Sequence, residues 1–120
     1  MGSVILNFIV LLLFVSCSYH NEKSIKVFNS SPTFNIIRDQ IFKPNCYGCH
    51  SGANAQMGVD LSSYSELMKP ELGIVSPGDP LNSILYLKVQ SGEMPFGAPR
   101  LSDAEIKTIA DWIKEGAREN

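Results

Sequence analysis

The sequence predicts an all-α domain of about four helices joined by long loops. Three observations lead to this fold class. Apolar residues recur at the three- and four-residue spacing of an amphipathic helix in several segments. Serine and aspartate residues that can cap a helix precede most of those segments. No segment alternates apolar and polar residues over the length of a strand. The 120 residues leave room for one small domain and a leader.

The first 17 residues form a predicted signal peptide. Their apolar run from Val4 to Val15 is too short to span a bilayer, which takes about 20 residues, but it suits the apolar region of a secretory signal. The run ends in Ser16 and Cys17, which resemble the end of a bacterial lipobox. This resemblance implies that Cys17 is lipidated and that several acyl chains anchor the protein to a membrane. An ordinary cleaved signal with an incidental cysteine is the alternative.

The next segment is a predicted tether, and the domain follows it. Residues 18–32 are polar and lack sustained periodicity, so we expect them to link the anchor to a domain at residues 33–120. The first helix should start near Ser31 or Thr33. Its apolar face consists of Phe34, Ile37 and Ile41. Pro44 is expected to end this helix.

Two shorter helices are expected in the middle of the domain. Ser63 and Glu66 match a capping box, and Pro70 should end the helix that they start. Asp79 is the expected cap of a third helix, with Pro80 as its first residue. The predicted inward face of that helix consists of Leu81, Ile84, Leu85 and Lys88, and it is widened by Leu87 and Val89.

The last helix has the clearest start signal in the chain. The preceding segment, residues 91–99, holds two prolines and two glycines, which predict a shaped loop. Ser102 and Glu105 then form a capping box, and Leu101 can pack onto Ile106 as a hydrophobic staple. One face of this helix consists of Ile106, Ile109, Ala110 and Ile113, with Trp112 beside it. Gly116 is the predicted stop.

Two cysteines and a histidine stand close together in the sequence C-Y-G-C-H at residues 46–50. Thiols at this spacing can bond to two neighbouring vinyl groups of a haem, and the adjacent histidine can bind the iron. A thioredoxin-like dithiol would need a strand–helix alternation, and a structural zinc site would need a second pair of ligands. The motif therefore predicts one covalently bound haem c, held by Cys46 and Cys49, with His50 as an axial ligand of the iron.

A second axial ligand is expected among the methionines, because methionine is common in electron-transfer haem proteins. Met68 falls on the inward face of a predicted helix, where core packing explains it. Met57 follows His50 too closely to cross to the opposite haem face, since a chain spans at most about 3.5 Å per residue. Met94 lies in the shaped loop before the last helix and is the predicted ligand. Packing on the haem edge is the alternative role for Met94.

Three segments together resemble class I c-type cytochromes, and the chain is similar to short cytochrome c domains of environmental bacteria. These segments are the C-Y-G-C-H motif, the Gly-Glu-Met-Pro loop at residues 92–95 and the last helix with its Leu-Ser-Asp-Ala-Glu-Ile start. The resemblance covers most of residues 34–117. It implies a small cytochrome c-like fold, thioether bonds at Cys46 and Cys49, and iron ligation by His50 and Met94. It also implies that the first and last helices cross near the haem, for which the candidate residues are Phe34, Ile37, Ile109 and Ile113.

The net charge of the chain and the two predicted iron ligands together indicate its function. The net charge of −2, without a block of like charge, gives no electrostatic footprint for nucleic acid. Two filled axial positions leave the iron no place for a substrate, so we predict an electron carrier and not an enzyme. The carrier is expected to be a monomer that meets redox protein partners on the periplasmic side of a membrane. The alternatives are a haem sensor or small peroxidase-like enzyme with an open or displaceable distal site, and a thiol or metal-binding lipoprotein without haem.

Overall fold

The computed structural model describes residues 31–120 and folds them into four helices with no strand in that range. Helix α1 covers residues 34–45, and the other three are α2 (Tyr64–Leu67), α3 (Ile84–Ser91) and α4 (Asp103–Lys114). The loops carry single 3₁₀ turns at Gly52–Asn54, Gln56–Gly58, Pro70–Leu72 and Pro80–Asn82. This architecture confirms the predicted all-α fold class. The predicted signal peptide, Cys17 and nearly all of the tether lie outside the described residues.

Helix α1 changes pitch in its middle. It is α-helical at Phe34–Ile37, π-helical at Arg38–Phe42 and α-helical again at Lys43–Asn45. The Lys43 amide donates to the Arg38 carbonyl, five residues back, as in a π-helix. Pro44 has no amide to donate, and its ring would crowd the carbonyl four residues earlier in a regular helix. The wider turn accommodates the proline, so the prediction that Pro44 ends the helix was wrong.

The first and last helices pack against each other in the core. The four residues predicted for this crossing are all buried, and they are Phe34, Ile37, Ile109 and Ile113. The Phe34 ring centroid lies 6.3 Å from that of Trp112. The Arg118 carbonyl accepts hydrogen bonds from the Phe34 amide at 3.0 Å and from Trp112 Nε1 at 2.8 Å. The C-terminal segment after α4 therefore fixes the start of α1.

Serine caps begin both α2 and α4, but the predicted capping box is complete only at α4. Ser63 accepts a hydrogen bond from the Glu66 amide at the start of α2, whereas the Glu66 carboxylate pairs with Lys69. At α4, Ser102 Oγ accepts from the Glu105 amide at 3.3 Å, and Glu105 Oε2 accepts from the Ser102 amide at 2.9 Å, which completes the capping box. Helix α4 ends two residues before Gly116, whose φ is +99°.

The predicted third helix is interrupted at Ser83. This residue is extended, with φ −102° and ψ 115°, and it separates the Pro80–Asn82 turn from α3. Its side chain is fully buried, and its Oγ accepts from the Ser76 amide at 2.9 Å and donates to the Asp79 carbonyl at 2.8 Å. These side-chain bonds compete with helical ones, so the chain leaves the helix for one residue.

The interruption changes which side chains face the core. Leu85 and Val89 are buried, whereas Leu81 and Ile84 are 69% and 44% exposed. The predicted inward face was therefore wrong for Leu81 and Ile84, because it assumed one unbroken helix from Pro80. None of the helices within residues 31–120 is long and apolar enough to cross a membrane.

Candidate functional site

The C-Y-G-C-H motif forms a tight turn at the end of α1. The Cys46 amide donates to the Phe42 carbonyl at 2.7 Å, which continues the helix into the motif. The Cys46 carbonyl then accepts from the amides of Cys49 and His50, at 3.1 and 2.9 Å. Both thiols and the imidazole are therefore carried by one hydrogen-bonded turn, and their relative positions are set by backbone contacts.

The two cysteines have different surroundings. Cys46 is half-buried against the hydrophobic core, whereas Cys49 is exposed, and both are free thiols. Burial, and to a smaller extent the charge of Glu105, raises the pKa of the Cys46 thiol to about 11. Two unpaired thiols at this spacing are the donor set that two thioether bonds require, so these residues fit a haem c.

His50 is oriented by the loop that follows it. Its Nδ1 lies 3.2 Å from the Val59 carbonyl oxygen. A carbonyl can only accept a hydrogen bond, so Nδ1 is the donor in this contact, and Nε2 is the ring nitrogen left to bind the iron. Metal-bound histidines are commonly held in this way, with the far ring nitrogen donating to a carbonyl. The imidazole therefore fits the role of an iron ligand through Nε2.

Two further backbone contacts fasten this loop to the motif. The Gln56 amide donates to the Cys49 carbonyl at 2.8 Å, and the Leu61 amide donates to the His50 carbonyl at 3.0 Å. Met57, between them, has a left-handed φ of +57° and is 91% exposed. Its side chain therefore does not take part in the core.

Met94 lies in a structured loop between α3 and α4. Gly92 ends α3 with a φ of +79°, and the Met94 amide then donates to the Lys88 carbonyl at 3.1 Å. Met94 is half-buried and packs against the core cluster that Cys46 also contacts. The loop, together with Lys88, lines a cavity of about 470 Å³. The structure thus brings Cys46 and Met94 to one core, while Met68 also packs there from the end of α2.

Sequence reasoning missed the role of Val59. The contact with His50 uses a main-chain oxygen, which every residue has, so no residue type could have marked it. The left-handed glycine at position 58, with a φ of +71°, is the nearest signal of a turn at this place.

The helical fold, the free cysteine pair and the oriented imidazole place this chain among small all-α haem proteins. A family model described as Planctomycete cytochrome C matches residues 46–95, from the first cysteine of the motif to the residue after Met94. Cytochrome c6 of Picosynechococcus sp. is 31% identical over 84 residues, which cover 68% of this chain and 72% of that protein. No solved structure matches the chain.

The chain belongs to the cytochrome c family. It is accordingly a haem electron-transfer protein that binds haem c covalently, and its partners are redox proteins.

Proposed function

We propose that this protein is a monohaem c-type cytochrome that carries one electron between exported or membrane-bound redox proteins. Cys46 and Cys49 hold the haem through thioether bonds, and His50 and Met94 are the axial ligands. The observation that carries this proposal is the contact between His50 Nδ1 and the Val59 carbonyl, because it holds the imidazole and leaves Nε2 as the ring nitrogen available to the iron. When bound, haem c supplies the one-electron chemistry of its iron.

The proposed second ligand is supported by how its loop is held. The Met94 amide is tied to the last turn of α3, and Lys88 forms an ion pair with Glu93, the residue before Met94. These contacts limit the positions that the Met94 sulfur can take. With both axial sites filled by protein, no substrate has access to the iron, so we propose a carrier and not an enzyme. A methionine sulfur as second ligand also raises the reduction potential of the iron, relative to a site with two nitrogen ligands.

Replacing Met94 tests the axial assignment. Met94→Ala should keep the covalent haem, because the thioether bonds do not depend on Met94. It should lower the reduction potential, remove the weak long-wavelength absorption band of methionine-bound ferric iron, and let the ferrous protein bind carbon monoxide. Met57→Ala is the matched control, since its side chain is exposed, and it should leave all three properties unchanged. An unaltered spectrum and potential in Met94→Ala would exclude Met94 as ligand.

We further propose that residues 1–17 are a signal peptide, that residues 18–32 are a tether, and that the cytochrome domain spans residues 33–120. Lipidation of Cys17 would anchor the domain on the periplasmic side of a membrane. The apolar leader that ends in Ser16 and Cys17 supports this arrangement. A tether raises the effective concentration of the carrier near membrane-bound partners.

Cell fractionation tests the anchor. The wild-type protein should sediment with membranes, whereas Cys17→Ser should move most of it to the soluble periplasmic fraction, because the acylated side chain is lost. Ser18→Ala, one residue further on, should stay with the membranes. If Cys17→Ser also stays there, the lipid anchor is not at this cysteine.

A further inference from the structure

We propose that Asp60 is a positioning residue for the His50 imidazole. Its carboxylate holds the turn of residues 60–62 and thereby keeps the Val59 carbonyl on Nδ1. The proposal rests on the proposed role of His50 as an iron ligand, and it adds a side chain whose removal should change the properties of that ligand.

The position of Asp60 between two backbone contacts is the first observation. On one side, the Val59 carbonyl oxygen lies 3.2 Å from His50 Nδ1. On the other side, the Leu61 amide donates to the His50 carbonyl at 3.0 Å. Both contacts to His50 are therefore made by the residues that flank Asp60, and a change in the backbone at Asp60 would alter them together.

The hydrogen bonds of the carboxylate are the second observation. Asp60 Oδ1 accepts from the Ser62 amide at 2.8 Å and from Ser62 Oγ at 2.5 Å. Both bonds fix the turn of residues 60–62, which directly follows Val59. The carboxylate thus holds the backbone next to the carbonyl that contacts His50.

The charge state of Asp60 agrees with this role. Partial burial raises the pKa of its carboxyl, but the hydrogen bonds from Ser62 and Gly52 outweigh burial, and the net pKa is lowered. The group is therefore ionised at neutral pH, and Oδ1 accepts both hydrogen bonds from Ser62.

The loop needs contacts that hold its conformation, because part of its backbone is strained. Met57 adopts a left-handed backbone conformation that residues other than glycine rarely take. Its side chain is 91% exposed, so it gains no burial that would offset the strain. A strained segment persists only when the surrounding contacts hold it. The bonds of Asp60 lie where this loop returns to His50.

Loss of the carboxylate should loosen the bond between Nδ1 and the Val59 carbonyl. Donation of that hydrogen bond makes the imidazole a more basic ligand. A more basic ligand favours ferric over ferrous iron, so its loss should raise the reduction potential. Removal of a nearby negative charge would also raise the potential, and the test must separate these two causes.

The experiment uses the holoprotein with ¹⁵N-labelled histidine rings, reduced so that the haem is diamagnetic. The solvent-exchange rate of the His50 Nδ1 proton and the midpoint potential are measured for each variant. In Asp60→Ala this proton should exchange roughly tenfold faster than in wild type, since a partly buried bond becomes free to open. Asp60→Asn removes the charge but keeps an acceptor for Ser62, so its rate should remain close to wild type. A rise in potential beyond that of Asp60→Asn then reports positioning and not charge.

Two more variants complete the set. Asp79→Ala removes a carboxylate that caps a 3₁₀ turn in another loop, through the Asn82 amide at 3.2 Å, and it should leave the exchange rate within about twofold of wild type. Ser62→Ala removes one donor to Asp60 and should speed the exchange of the His50 Nδ1 proton by less than Asp60→Ala does. This variant provides the test if Asp60→Ala does not acquire haem.

The outcomes separate this inference from the proposed function. If wild type shows an iron-bound imidazole but Asp60→Ala and Ser62→Ala exchange no faster than Asp79→Ala, Asp60 does not position His50. If wild type shows no iron-bound imidazole at all, the proposed ligand is wrong and the inference fails with it.

Discussion

Ser83 shows what one buried hydroxyl does in this domain. Its Oγ accepts from the Ser76 amide at 2.9 Å and donates to the Asp79 carbonyl, with no exposure to solvent. Ser83→Ala leaves the Ser76 amide without that partner, so we expect the free energy of unfolding to fall by about 1–3 kcal/mol. Denaturant titration of the holoprotein measures the loss. Ser65→Ala, an exposed serine, should change it by less than about 0.5 kcal/mol, and equal effects of the two substitutions would contradict this account.

The site residues differ in how far the sequence could predict them. Cys46, Cys49 and His50 were predicted from the sequence because covalent haem attachment demands particular residue types at fixed spacing. The Val59 carbonyl could not be predicted, since its position depends on the path of the loop and not on its side chain. Met94 was selected by excluding the other methionines, and its assignment stays a prediction until the substitution is made.

The capping box of α4 gives a prediction for a whole element. Ser102 accepts from the Glu105 amide, and Glu105 accepts from the Ser102 amide, so two free donors at the helix start are satisfied together. Ser102→Ala should lower the free energy of unfolding by about 1 kcal/mol. Thr108→Ala, within the same helix, should be neutral or slightly stabilising, because alanine is the better helix former. Thermal or denaturant unfolding compares the two, and an unchanged stability of Ser102→Ala would contradict the role of the cap.

The helices show which parts of the fold can be predicted from local sequence signals alone. Helix α4 was predicted with its start, its buried face and its end because capping and apolar spacing agree there. Helix α1 passes through Pro44 because a π-helical turn before it relieves the crowding. No residue type in the sequence indicates that such a turn will form. The break at Ser83 has the same origin, since its hydroxyl finds partners at Ser76 and Asp79 only once the chain has folded. Local residue preferences therefore predict where the helices lie, whereas contacts that form only in the folded chain decide where the helices are interrupted.

On the scale of the whole molecule, the described domain has long loops around short helices, and several large apolar side chains are exposed. These side chains are Met57, Leu81, Ile84, Leu87 and Phe96. A domain of this size buries limited apolar surface by itself. A covalently attached haem adds a large apolar body, so we expect much of the stability to depend on the cofactor.

Removal of both attachment thiols tests this dependence. Cys46→Ala combined with Cys49→Ala should abolish the haem that survives denaturation and lower the melting temperature by at least about 10 °C. Far-ultraviolet circular dichroism during heating measures the shift. Cys17→Ser removes a cysteine outside the domain and should melt like wild type. Equal melting temperatures for the double variant and wild type would show that the fold does not depend on the haem.

The most direct test of the central claim is the absorption spectrum of the exported protein, oxidised and reduced, before and after denaturation. We expect c-type bands that persist after denaturation, because Cys46 and Cys49 hold the haem covalently. We also expect the weak long-wavelength band of ferric iron bound by methionine sulfur, because Met94 completes the coordination. A c-type spectrum without that band would contradict the His50 and Met94 ligand pair, and haem lost on denaturation would contradict the proposed thioether bonds.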